Sequence, residues 1–205
     1  MRILLSSFLL FAKNVFGIIN NPYVTYRNLA AQKTPLLQLI WLAGLVLAYF
    51  AFASAIKAGI RNPYILTWKF NTLSFAGLFG FLGMVVLILI VARVARVSVS
   101  GKTIVILWAY SLLPTLAWFF ATSMLYILLP PPRTLTIAGT LYSTLFITFS
   151  IALGIWKGIL YYLTFRFGLR FDLFRILLVT VILAPAVALY SILMYKSGIF
   201  RVPFL

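Results

Sequence analysis

The chain has no cysteine and no histidine, and against 17 lysines and arginines it sets one acidic residue, Asp172. Without thiol or imidazole there is no thiolate nucleophile, no disulfide, no iron–sulfur centre and no ordinary zinc site. One carboxylate cannot form a catalytic pair, a two-metal site or a relay of several acids. The "SGK" at 100–102 lacks the upstream glycine of a phosphate-binding loop and leads straight into an apolar run. These gaps argue against an enzyme, and neither a cofactor nor a metal is expected. Charge of any sign is scarce as well: 9% of residues are charged, against about 25% in soluble domains.

Apolar side chains fill the space. They make up 64% of the 205 residues, and mean hydropathy is +1.14. Five runs are long enough to cross a hydrocarbon core, which takes about 20 residues of helix: 36–56, 71–92, 103–129, 138–163 and 173–195. The segments "KAGIRNPYILTWKF", "RVARVSVSGK", "PPPRTLTI" and "TFRFGLRFD" separate them, each punctuated by proline, glycine or a basic cluster. The expected fold class is therefore all-α, a polytopic membrane bundle of five transmembrane helices, with 1–35 as an N-terminal interfacial segment and 36–205 as the membrane domain.

The basic residues fall between the runs, where cations meet anionic headgroups and set topology. That placement argues for a bilayer as partner and against nucleic acid. With a cytoplasmic N-terminus, one face collects ten: Arg2, Lys13, Arg27, Lys33, Arg93, Arg96, Lys102, Arg166, Arg170 and Arg175. The other receives six: Lys57, Arg61, Lys69, Arg133, Lys196 and Arg201. The bias predicts N-terminus in, C-terminus out.

The first 20 residues, "MRILLSSFLLFAKNVFGIIN", have no small-x-small cleavage site after their apolar stretch. Polar residues recur at Ser6/Ser7, Lys13/Asn14 and Asn20/Asn21, a spacing near seven that predicts one wet face. An amphipathic helix lying in the membrane surface is expected, with Phe8, Phe11, Phe16 and the leucines inserted.

Within the runs a few residues stand out. Lys157, in "GIWKGIL", is the one charge well inside a span. A central lysine costs about 2.5–3.5 kcal/mol on insertion scales, so it is a candidate for interaction. The competing reading lets its stem snorkel to the headgroups beside Tyr161 and Tyr162. Asp172 opens the fifth run, where a carboxylate can cap free backbone N–H groups and meet Arg170 or Arg175, or contact a partner. Gly77, Gly80 and Gly83 in "GLFGFLG", and Gly154 with Gly158, are small-residue patterns that permit close helix approach. Thr140, Ser143, Gly154 and Gly158 share one side at about 100° per residue, which predicts that this side faces protein.

The third run contains "WAYSLLPTLAWFF", 108–120. Pro114 has no N–H, so the carbonyl of Tyr110 loses its helical partner, and in hydrocarbon that gap must be covered. Trp108, Ser111, Thr115, Trp118 and Thr122 project within an arc of about 80°. The expectation is a packing joint: Pro114 bends the helix, Ser111 and Thr115 serve the freed backbone, and the stripe faces the bundle.

A short N-terminal helix, "NPYVTYRNLAAQKTP", five spans with "YSLLP" in the third, and a late tryptophan in the fourth before "GLRFDLFRILL" together resemble the Yip1-like membrane proteins, especially the short prokaryotic type. The resemblance covers nearly the whole chain, mainly through span number and order. Eukaryotic members have a cytosolic N-terminus and five spans, and associate with Rab GTPases and one another in membrane traffic. This chain lacks their long acidic N-terminal segment and DLYGP-type motif, so what the resemblance implies is architecture, association with itself or a membrane-protein partner, and no enzymatic activity. A non-enzymatic scaffold or adaptor is the leading expectation. The alternative is a small transporter or channel component with a path lined by the third and fourth spans, for which Pro114 and Pro185 within spans speak.

Overall fold

The computed structural model describes residues 2–31, 36–58, 62–128 and 137–199. The heart of the "PPPRTLTI" connection, together with Lys33, Arg61, Arg133 and Arg201, lies outside the described residues. Among the described residues eight α-helices follow in order: α1 (Arg2–Asn20), α2 (Pro22–Ala31), α3 (Leu39–Ala58), α4 (Pro63–Val94), α5 (Gly101–Tyr110), α6 (Leu113–Leu128), α7 (Ile137–Leu163) and α8 (Leu173–Lys196). A 3₁₀ turn, Leu36–Gln38, leads into α3, and a π-helical turn, Thr164–Gly168, extends α7. There is no strand among the described residues. The protein is an all-α polytopic membrane bundle.

Among the described residues, six helical stretches are long and apolar enough to cross a bilayer: Ile3–Asn20, Leu36–Ile56, Pro63–Val94, Gly101–Leu125, Gly139–Gly168 and Leu173–Lys196. Five of them overlap the five expected runs; the sixth is α1. The second expected run begins earlier than composition suggested. The "KAGIRNPYILTWKF" segment reads as a connection because of its charges and proline, yet α4 starts inside it, with Pro63 as the first helical residue and the Asn62 side chain accepting the Ile65 N–H at 3.3 Å. Asparagine then proline is a start signal, since the missing N–H falls among those a first turn leaves free anyway. At 32 residues, α4 is about 48 Å long and exceeds a hydrocarbon core of about 30 Å.

Helix ends are closed by backbone geometry. After α4, Arg96 takes φ of 54° while its N–H donates to the Arg93 carbonyl and that of Val97 to the Ala92 carbonyl. Gly198 does the same after α8 with φ of 69°. This paired closure normally recruits glycine, so Arg96 holds a conformation that its Cβ disfavours.

Packing uses two of the small residues in "GLFGFLG". A Cβ at Gly77 would come within 2.8 Å of the Phe50 ring, and one at Gly80 within 2.8 Å of the Tyr190 ring. They are the close-approach points of α4 with α3 and α8. Gly154 and Gly158 differ: nothing lies within 4 Å of a Cβ built on either, and both are exposed, as is Thr140. The stripe on α7 expected to face protein points outward. Periodicity groups residues on a face but does not say what that face meets.

One apolar cluster joins Phe11, Ile18, Tyr26, Leu29, Tyr110 and Leu160, so α1 and α2 are built into the bundle rather than appended to it. A second joins Ala92, Ile104, Leu169, Phe171 and Ile176. It draws the segments bearing Arg93, Arg96, Lys102, Arg166, Arg170 and Arg175 toward one another. Arg166 is tied there by a 2.9 Å hydrogen bond from Nη1 to the Phe171 carbonyl.

Candidate functional site: the Tyr110–Pro114 joint and its cavity

The third expected span is two helices. α5 ends at Tyr110 and α6 begins at Leu113, so Pro114 is the second residue of a new helix and not a kink inside an old one. The Leu112 N–H turns back three residues to the Ala109 carbonyl, and the Leu116 N–H opens the new ladder on the Leu112 carbonyl. Ser111 is fully buried and its hydroxyl donates to the Trp108 carbonyl at 2.7 Å, so it covers backbone at the break, at Trp108 and not at the Tyr110 carbonyl that was expected. Thr115 departs from the expectation: its hydroxyl is buried without a partner among the described residues. Trp108 is buried, Trp118 donates from Nε1 to Ser150 Oγ at 2.8 Å, and Thr122 bonds back to the Trp118 carbonyl, so the polar and aromatic stripe does face protein.

A polar latch sits on one side of this break. Asn14 of α1 donates from Nδ2 to Gln38 Oε1 at 2.8 Å and, more weakly, to Tyr110 Oη at 3.4 Å. The Tyr110 hydroxyl donates to the same Gln38 oxygen at 2.8 Å. One turn earlier, Tyr26 of α2 donates its hydroxyl to the Leu107 carbonyl at 3.3 Å. Burial pushes the Tyr26 phenol up from its ordinary value, with a hydrogen bond to Thr164 acting the other way, so it stays a neutral donor.

The latch corrects part of the sequence reading of α1. Ser7 is buried and Asn14 points into the bundle, whereas Ser6, Lys13 and Asn20 of the expected wet face are exposed. Of the residues expected to insert, Phe8, Phe16, Leu5 and Leu9 are exposed, as are Ile3 and Ile19, and Phe11 is buried in the core. Asn14 finds its partners inside the bundle.

On the other side of the break lies a cavity of about 770 Å³ between α3, α4, α5, α6, α7 and α8. Its inner wall includes Leu42, Trp108, Ala109 and Leu116, and its outer rim includes Leu47, Phe75, Leu78 and Phe79, all exposed. Leu112 and Thr115, at the start of α6, border it. Lys157 borders it too, its ammonium 5.4 Å from the centre of the Tyr161 ring, which itself stacks on Trp108 at 4.8 Å. The structure thus sets Lys157 beside an aromatic shelf on the cavity wall.

The remaining residues singled out from sequence stand apart from this site. Asp172 occupies the N-cap position of α8 but its side chain makes no capping hydrogen bond. It pairs with Arg175 at 3.6 Å, both side chains about two-thirds exposed, a contact of small energetic weight. Pro185 is on the exposed face of an uninterrupted α8. The sequence marks Asn14 only as one of a periodic polar set and does not single out Gln38, whose one signal is its place among apolar neighbours at the start of a run. Compared with protein families, curated proteins and solved structures, the chain finds no match in any of the three.

Proposed function

We propose that this protein is a non-enzymatic multi-pass membrane scaffold of Yip1-like type, which organises partner proteins or copies of itself within the bilayer. The observation that carries the reading is the docking of α1: Asn14 is latched to Gln38 and Tyr110, leaving an apolar face of Ile3, Leu5, Leu9, Phe16 and Ile19 outward. A helix held rigidly by one face and unpartnered on the other is suited to contact lipid and neighbouring helices. The basic end fits anionic headgroups on the cytoplasmic side. The absence of histidine and cysteine from the sequence leaves little material for catalysis. A hydrophilic transport path is the weaker reading, because the cavity beside the third and fourth spans is walled mainly by apolar side chains.

The test is quantitative affinity purification of the full chain from its native membrane, beside a variant with Leu5, Leu9 and Phe16 changed to serine. A membrane-protein partner, or a second tagged copy, recovered with the parent and lost with the variant supports the scaffold. Recovery of the chain alone, together with solute uptake into liposomes, overturns it.

A further inference from the structure

The one group in the cavity with a full charge is Lys157, and the chain's single acidic side chain, Asp172, is engaged with Arg175. The ammonium therefore has no side-chain counter-ion in its own protein. An unpaired cation away from water is strongly disfavoured, and the Tyr161 ring offsets only part of that cost. Ser74, Trp108 and Thr115 also border this space, but their polar side-chain atoms are closed off from it and without a partner among the described residues. Lys157 is thus a cation in an otherwise apolar chamber, which is complementary to an anion carried on an apolar tail.

We propose that the cavity binds one anionic amphiphile drawn from the surrounding bilayer, with its carboxylate or phosphate head at Lys157 and its tail leaving past Phe75, Leu78 and Phe79. The volume of about 770 Å³ lies within the range of about 300–1,000 Å³ typical of ligand sites. The exposed apolar rim lets the tail pass into the hydrocarbon without meeting water. This site goes beyond the scaffold reading and stands whether or not a protein partner is found.

The probe is dibromostearate, whose bromines quench tryptophan, titrated into the full chain in nanodiscs of zwitterionic lipid. Dibromostearyl alcohol serves as the neutral counterpart and inorganic phosphate as the tail-free anion. Saturable quenching by the carboxylate is expected, at least tenfold tighter than by the alcohol, with phosphate failing to compete. Lys157→Met should weaken the carboxylate at least tenfold and leave the alcohol unchanged, while Lys157→Arg should retain binding. Gly83 also borders the cavity, and nothing lies within 4 Å of where its Cβ would stand, so Gly83→Leu should fill space without a clash and block both probes with Lys157 intact. Equal affinity for acid and alcohol, or Lys157→Met without effect, overturns the site. So does competition by inorganic phosphate, which would mean that the head alone is bound.

Discussion

Asn14 and Ser111 are both polar residues in an apolar setting, and they carry different loads. The Ser111 hydroxyl bonds within its own helical turn, to the Trp108 carbonyl, so Ser111→Ala removes a local contact. Hydroxyl bonds in membranes average about 0.6 kcal/mol. Asn14 spans three elements, and Asn14→Leu would strip a donor from a buried Gln38 whose Nε2 is already without a partner among the described residues. Leaving buried groups unsatisfied costs about 1–3 kcal/mol. Thermal unfolding in detergent should therefore separate them, with Ser111→Ala close to the parent and Asn14→Leu several degrees lower. Equal losses would show that the latch contributes nothing beyond a single hydroxyl. Sequence marked Asn14 as polar and periodic, but not its partners, because Gln38 and Tyr110 lie 24 and 96 positions along the chain. Lys157 teaches the same lesson: its charge was plain, while the shelf of Tyr161 and Trp108 that receives it exists only after folding.

At the scale of the helix, the places of the apolar runs were readable, since about 20 residues must be covered whatever the packing, although α4 starts at Pro63, ahead of the run expected from 71. Interruptions were readable as places and not as geometries. Pro114 signalled a disturbance, and the structure resolves it as the end of α5 and the start of α6. The distinction has a sign. A proline strained inside a helix costs about 3 kcal/mol, so replacing it by alanine would stabilise the protein. A proline in a first turn restricts the unfolded chain without strain, and losing it costs about 0.4–1 kcal/mol. Pro114→Ala is expected to lower the unfolding temperature modestly; a clear rise would mean that α5 and α6 are one kinked helix. The outward glycines of α7 were beyond reach for another reason. A stripe of small residues looks alike whether it meets a neighbour or lipid.

For the molecule as a whole, α1 decides the parity of the topology. If it lies along the surface, five crossings put the termini on opposite sides; if it crosses, six put them together. The ten-to-six division of basic residues favours a cytoplasmic N-terminus and a C-terminus outside. A reporter that is active only in the cytoplasm should be active ahead of Met1 and silent after Leu205, and activity at both ends would instead make α1 a sixth span. The latch also imposes an order on biogenesis. Asn14 precedes Tyr110 by 96 positions, an interval of about 5–20 s at common elongation rates. Gln38, 24 positions after Asn14, is made early in that interval, while Tyr110, which completes the latch, and the α5 surface around it do not yet exist. The first helix to be made is thus among the last to be seated, and a nascent chain halted before Tyr110 should still be open to whatever insertion factor shelters polar groups in the membrane.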